Sequence, residues 1–259
     1  MGMLKVPNSE IRFAAKTGFL SRTLWEEFFA EGAYSWKLRQ WKSFSEREYF
    51  KMHPSPTAKD TLVLNAKNPD VVKLVGADIS APPYVSQLNH DEIVTRSVLI
   101  LKRQGLATSF LTESELKALN VGRERVRSAA DRIKYPDMIL DVGSAAKNFS
   151  VALELELTRK DYKRYYNIIG NYSTRAYADK VLFIGSSEGI FESLRKAMRE
   201  NSYSSFRQPI GFVSCAEWEK APATAPIYFS NKVTSLLEMK AESEAHGSVM
   251  SPSFCDGEK

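Results

Sequence analysis

Cysteine and histidine are scarce in this sequence, with two of the first and three of the second among 259 residues. Cys215 and Cys255 are too far apart for a CxxC pair, and no Cys/His spacing suits zinc. A disulfide-stapled or zinc-knit fold is therefore excluded. Long apolar runs are missing as well. None approaches the roughly 20 residues needed to span a bilayer, and the opening MGMLKVPNSE lacks the apolar stretch of a signal peptide. Position 6 is Val6, where a myristoylation motif has Ser or Thr. These absences predict a reduced, cytoplasmic protein with no membrane partner.

The composition that remains is that of a folded chain: 26% charged and 43% apolar residues. Its length suits one large domain or two small ones. Lys and Arg outnumber Asp and Glu by 36 to 31, a net charge of +5. So mild an excess points only weakly to nucleic acid, and where the charge lies matters more than its total.

The first fifty residues are dense in aromatics, including Phe13, Phe19, Trp25, Phe28, Phe29, Tyr34, Trp36, Trp41, Phe44 and Phe50. That density lets a domain of only ~65 residues bury enough apolar surface to fold. Three helices are predicted there. The first runs from Ser9 to Lys16 and stops at Gly18; the second follows Ser21 as N-cap and stops at Gly32. The third follows Ser35, turning Leu38, Trp41 and Phe44 inward and Lys37, Arg39, Gln40 and Lys42 outward. YFKM and DTLVLN, separated by HPSPTAK, then read as a hairpin. Three helices and a hairpin are the order of a winged helix-turn-helix. In that fold Lys37, Arg39, Gln40 and Lys42 would contact phosphates and base edges of double-stranded DNA. The plainer alternative is a small helical domain with a solvated basic face.

This predicts a winged-helix domain over residues 1–75 and an extended linker at 76–85, where Gly76, Pro82 and Pro83 break helix. A second domain over 86–240 opens with the helix HDEIVTRSVLILKRQ, whose Ile93, Val94, Val98 and Leu101 make an apolar face. A short strand and a helical turn follow in ATSFLTESELKAL. The basic connector NVGRERVRSAADRIK brings Arg123, Arg125 and Arg127 as candidate DNA-backbone contacts. YPDMILDV and FSVALELEL read as a hairpin through GSAAKN. Helix, strand, helix and strand complete an α β β β α β α β order, so a mixed sheet with packed helices is expected. The tail over 241–259 has no apolar period and reads as disordered.

The strand Val151–Thr158 carries the chemistry. Side chains alternate along a strand, so Glu154 and Glu156 share one face while Val151, Leu153 and Leu155 share the other. If the hairpin register sets Asp137 opposite Glu154, the pair would hold Mg²⁺ (or Mn²⁺) beside a phosphodiester, with Lys160 nearby to offset charge. An exposed sheet face with surface ion pairs has the same pattern.

At Pro136–Asp137 and Glu154–Leu155–Glu156, and in its element order, the chain resembles the PD-(D/E)XK nuclease superfamily. From QLNHDE through YPDMILDV to ALELELTRKDYKRY it more closely resembles the replication-relaxation family of bacterial mobile elements. The likeness covers roughly residues 10–215. It implies an α+β chain, an N-terminal winged helix-turn-helix followed by a restriction-endonuclease-like mixed α/β domain. It also implies a metal held by Asp137 and Glu154, with Glu154 as the acidic member of the triplet. This sequence departs from the pattern in placing Glu156 at the lysine position, for which Lys160 would stand in. Glu92 matches a place where some members of the superfamily carry a further acid. The function so implied is a DNA-binding protein of a plasmid or other mobile element, acting as a Mg²⁺-dependent nicking enzyme. The alternatives are an inactive DNA-binding regulator or recruitment factor on the same fold, and an aromatic protein–protein adaptor. Its partners would be duplex DNA, replication or transfer proteins of the element, and a second copy in a homodimer. His53, His90 and His246 read as surface or internally satisfied residues. Tyr162, Tyr165, Tyr166 and Tyr172 read mostly as core, and the turn Gly185–Gly189 as an ordinary capped turn.

Overall fold

The computed structural model describes residues 7–55, 57–58, 60–76, 79–120, 134–144, 147–174, 177–201 and 208–246. It is a mixed α and β chain that divides into two compact units, residues 1–99 with 111–138 and residues 100–110 with 139–259. Among the described residues no helix is long and apolar enough to cross a membrane.

The first unit begins with α1 (Asn8–Thr17), which stops where Gly18 turns left-handed at φ 85° and donates its N–H to Ala14 O. A Cβ at Gly18 would lie 2.4 Å from Ala81 O, so close an approach requires glycine. Next come β1 (Leu20–Ser21) and α2 (Arg22–Phe28), capped by the Ser21 hydroxyl, which accepts from Leu24 N–H. α3 (Tyr34–Glu46) starts one residue before Ser35, the expected cap. Ala33 caps it in extended conformation, its carbonyl taking the N–H groups of Trp36 and Lys37. β2 (Phe50–Met52) and β3 (Thr61–Leu64) pair antiparallel, and β1 adds to β3 on its other side, giving a three-stranded sheet in the order β1-β3-β2. α4 (Pro69–Val75) follows, capped by Asn68 with proline in its first turn.

Aromatic rings fill the interior between these elements. Trp25 is fully buried, with its ring 5.3 Å from that of Trp41 and 5.7 Å from that of Phe44, the latter edge-on at 84°. Within the segment expected to be an extended linker, Ser80 N–H donates to Ala15 O and its hydroxyl to Lys16 O, both in this unit. α5 (Leu88–Arg103) is fastened to α2 through a bidentate Arg96–Glu27 pair at 2.7 and 2.9 Å. Glu92, on the same helix, accepts from the Ser21 hydroxyl that caps α2. α6 (Glu113–Asn120) completes the described helices of this unit.

The second unit is organised by a seven-stranded sheet. In chain order its strands are β4 (Ala107–Thr112), β5 (Met138–Ser144), β6 (Lys147–Glu156), β7 (Lys180–Gly185), β8 (Ile210–Ser214), β9 (Ile227–Tyr228) and β10 (Val233–Thr234), and they lie in the order β10-β9-β8-β7-β6-β5-β4. β6, β7 and β8 are parallel, joined by the crossover helices α7 (Tyr162–Thr174) and α8 (Glu188–Glu200). β9 pairs antiparallel with β8 and with β10. α9 (Cys215–Lys220) follows β8, and α10 (Leu236–His246) runs into the stretch expected to lack structure from Ala241. Gly185 closes β7 where the Phe191 ring would meet a Cβ at 2.4 Å, which explains the first glycine of the expected capped turn.

Trp25→Ala should lower the unfolding free energy by about 3–5 kcal/mol, because the cavity left among Trp41 and Phe44 collapses only in part. Urea denaturation followed by circular dichroism measures it, and a loss under about 1 kcal/mol would mean the ring is not the keystone of this core.

Candidate functional site

Three groups of side chains bear on the expected chemistry, two in the first unit and one in the second. On α3 the aromatic core sets the helix's rotation. Trp41 and Phe44 face inward, so Arg39 and Lys42 come out exposed. Lys37 and Gln40 lie toward the buried side and are half-covered. Two residues that the aromatic count suggests for the core stand outside it instead: Tyr34 is 67% and Trp36 42% exposed. Arg123, Arg125 and Arg127 fall outside the described residues.

Asp137, in the first unit, has a partner that its sequence neighbours do not announce. The His90 ring on α5 reaches it with Nε2 at 3.1 Å from Oδ2, while Nδ1 lies 2.9 Å from Asp91 Oδ1. Both ring nitrogens thus face carboxylates, and both donate when the ring is protonated. Burial disfavours that charge, but the hydrogen bonds to Asp137 and Asp91 outweigh it and push the His90 pKa up to about 10. The Lys134 ammonium, 3.3 Å from the other Asp137 oxygen, adds a second positive neighbour. His90, Asp91 and Asp137 line a pocket of about 290 Å³ with Lys16, Thr112, Pro83 and Lys117. His53, by contrast, is satisfied by the backbone: Ser55 N–H donates to its Nδ1, and Nε2 lies 3.0 Å from Pro83 O.

In the second unit the alternation of β6 places Glu154 and Glu156 on one face, yet that face is not solvated. Residues 151–156 are all buried, as suits a strand inside a sheet with parallel neighbours. Glu154 and Glu156 are each 1% exposed. Tyr172 on α7 donates its hydroxyl to Glu154 Oε1 at 2.5 Å, and Lys160 places Nζ 2.5 Å from Glu156 Oε1. The Tyr165 hydroxyl takes the backbone N–H of Lys160 at 3.1 Å, which fixes the turn that presents the lysine. Tyr165 and Tyr172 are therefore core residues with polar duties, whereas Tyr166 is 40% exposed. Tyr162 donates its hydroxyl to Glu200.

Asp137 belongs to the first unit and Glu154, Glu156 and Lys160 to the second, so the expected juxtaposition is traced only within each unit. Mg²⁺ is commonly held through one or two carboxylates and keeps several waters. Glu154 and Glu156 match that number, but both are buried and one oxygen of each already accepts, from Tyr172 and Lys160 respectively. Among the described residues no group of three or more His, Cys, Asp and Glu side chains is gathered as a metal cage. Compared with known protein families, curated proteins and solved structures, the chain matches none.

Two outcomes follow from these charges. The His90 pKa lies above its ordinary 6.5, so its stabilising contribution is complete below that value and is lost as pH rises toward 10. The stability difference between the wild type and His90→Gln should therefore shrink from pH 6.5 to pH 10 in urea titrations; a constant difference would show that the imidazolium is not held by Asp137 and Asp91. Lys160→Met leaves Glu156 buried without its cation and should cost about 3–5 kcal/mol. Adding Glu156→Gln should restore most of it in the same assay, and a double variant no better than the single would break the pairing argument.

Proposed function

We propose that the protein binds duplex DNA through its first unit, with α3 entering the major groove and the β2–β3 pair lying along the backbone as a wing. The order helix, strand, helix, helix, strand, strand around a β1-β3-β2 sheet supports a winged helix-turn-helix. The observation that carries the reading is the rotation of α3. Its aromatic side is locked inward by Trp25, and Arg39 and Lys42 project together into solvent. Arg39 can pair with guanine edges or phosphate and Lys42 with phosphate, so one helix supplies both kinds of contact. The order α5, β4, β5, β6, α7, β7, with α6 inserted after β4, supports a nuclease-like second domain. On this reading the chain is a DNA-binding regulator or recruitment factor, and its place on a plasmid or mobile element rests on the sequence resemblance alone.

A second reading is favoured by Lys160, which stands beside Glu156 on the face that also carries Glu154. There the same protein nicks the DNA it holds, with Mg²⁺ or Mn²⁺. Nicking of supercoiled plasmid in either metal, lost in Glu154→Gln and Asp137→Asn while binding persists, would establish it. Intact plasmid over the same titration would leave the binding role.

Fluorescence anisotropy with labelled duplex tests the primary reading. Arg39→Ala and Lys42→Ala should each weaken binding about fivefold to tenfold. Lys37→Ala, at a half-covered position, should change it less than about twofold. Wild-type affinity in both Arg39→Ala and Lys42→Ala would remove α3 as the DNA-reading helix.

A further inference from the structure

Of the four tryptophans, Trp25 and Trp218 are fully buried and Trp41 is 8% exposed; Trp36 alone opens to solvent, at 42%. It sits in the first turn of α3, two residues after Tyr34, which is 67% exposed. Single exposed apolar residues are ordinary on a protein surface. Two large rings in one helical turn, each engaged by an arginine, are a more specific arrangement. The Arg39 guanidinium lies 5.9 Å from the Trp36 ring centroid, and Arg22 Nη2 lies 3.5 Å from the Tyr34 hydroxyl. Arg22 is itself oriented by Glu26 at 2.7 Å.

The Trp36 ring is also held in place. Gly32, left-handed at φ 88°, brings its backbone so near that a Cβ there would meet indole Cδ1 at 3.3 Å. The indole thus rests against the turn before α3 on one side and is approached by Arg39. Such a ring loses little rotamer freedom when a ligand stacks on it.

The sign of the surrounding charge selects the ligand. α3 carries Lys37, Arg39 and Lys42 and a single acid, Glu46, in its last turn. Of the nearest acids before it, Glu26 is paired with Arg22, Glu27 with Arg96, and Glu31 is exposed, so cations predominate around the rings. A flat π-surface flanked by cations complements a nucleobase and its phosphate. Bases within a duplex are stacked on one another and offer edges to a helix, whereas an unpaired base offers a face.

We propose that Tyr34 and Trp36, steadied by Arg22, Gly32 and Arg39, form a stacking platform for unpaired bases, so that the DNA taken by this protein has a single-stranded segment beside duplex. The proposal rests on the DNA-binding reading above and names the form of DNA it selects. Arg39 and Lys42 hold the duplex, and the start of α3 receives the open strand.

The full chain is titrated with a labelled blunt duplex and with the same duplex bearing a ten-nucleotide oligo(dT) tail. Wild type should prefer the tailed form by about tenfold. Trp36→Ala and Tyr34→Ala should each bring the ratio of tailed to blunt affinity close to one, with Tyr34→Ala keeping blunt-duplex affinity, and Trp36→Phe should retain part of the preference because phenyl still stacks. Free oligo(dT) should quench the tryptophan emission of wild type and leave that of Trp36→Ala unchanged, since the other three indoles are buried. Equal affinity for both duplex forms, an undiminished preference in Trp36→Ala, or emission indifferent to oligo(dT) would each overturn the platform and leave duplex binding standing. Failure to bind either form would overturn both readings.

Discussion

Trp25 decides which way α3 faces. With its indole packed against Trp41 and edge-on to Phe44, inside a cluster that also holds Phe19, Leu20, Leu24, Phe50 and Leu62, the helix cannot roll without opening a void in a close-packed core. Everything proposed for the first unit depends on that lock. Arg39 and Lys42 project together because Trp41 and Phe44 point inward, and Lys37 is half-covered for the same reason. The Ser21 cap, the Glu92 contact to it and the Glu27–Arg96 pair then hold α2, the helix that bears Trp25.

The acidic residues obey a different constraint: a carboxylate taken out of water needs a donor or a cation beside it. Glu154 meets it with Tyr172, Glu156 with Lys160, and Asp137 with His90 and Lys134. These partners offset part of the desolvation penalty and keep the acids in place. They also engage one oxygen each of Glu154 and Glu156, on which metal-assisted cleavage would depend. DNA binding is thus the primary reading and nicking the second.

Much of this was legible in the residues. Gly18 and Ser21 mark the end of α1 and the start of α2 where the structure has them, because left-handed caps and hydroxyl caps depend on local chemistry. Ser35 misleads by two positions, since Ala33 takes the cap once Gly32 supplies the turn. α4 has a readable signal in Asn68–Pro69–Asp70, and β1 is too short at two residues to leave one. The alternation that puts Glu154 and Glu156 on one face is plain in the sequence. Their burial is not, because it depends on β6 lying within the sheet beside β7 and under α7. Asp91 beside His90 is visible at once, but Asp137 is 47 positions further on and only folding brings it to the ring. Aromatic density alone assigns Tyr34 and Trp36 to the core; their place in the first turn of α3, away from Trp41 and Phe44, puts them outside it.

The salt dependence of duplex binding tests the central claim most directly, since phosphate contacts release counterions and purely apolar ones do not. The logarithm of the association constant should fall linearly with the logarithm of salt concentration, and the slope should become shallower by about one unit in Lys42→Ala. An affinity that does not change with salt, or a slope untouched by that substitution, would contradict the account.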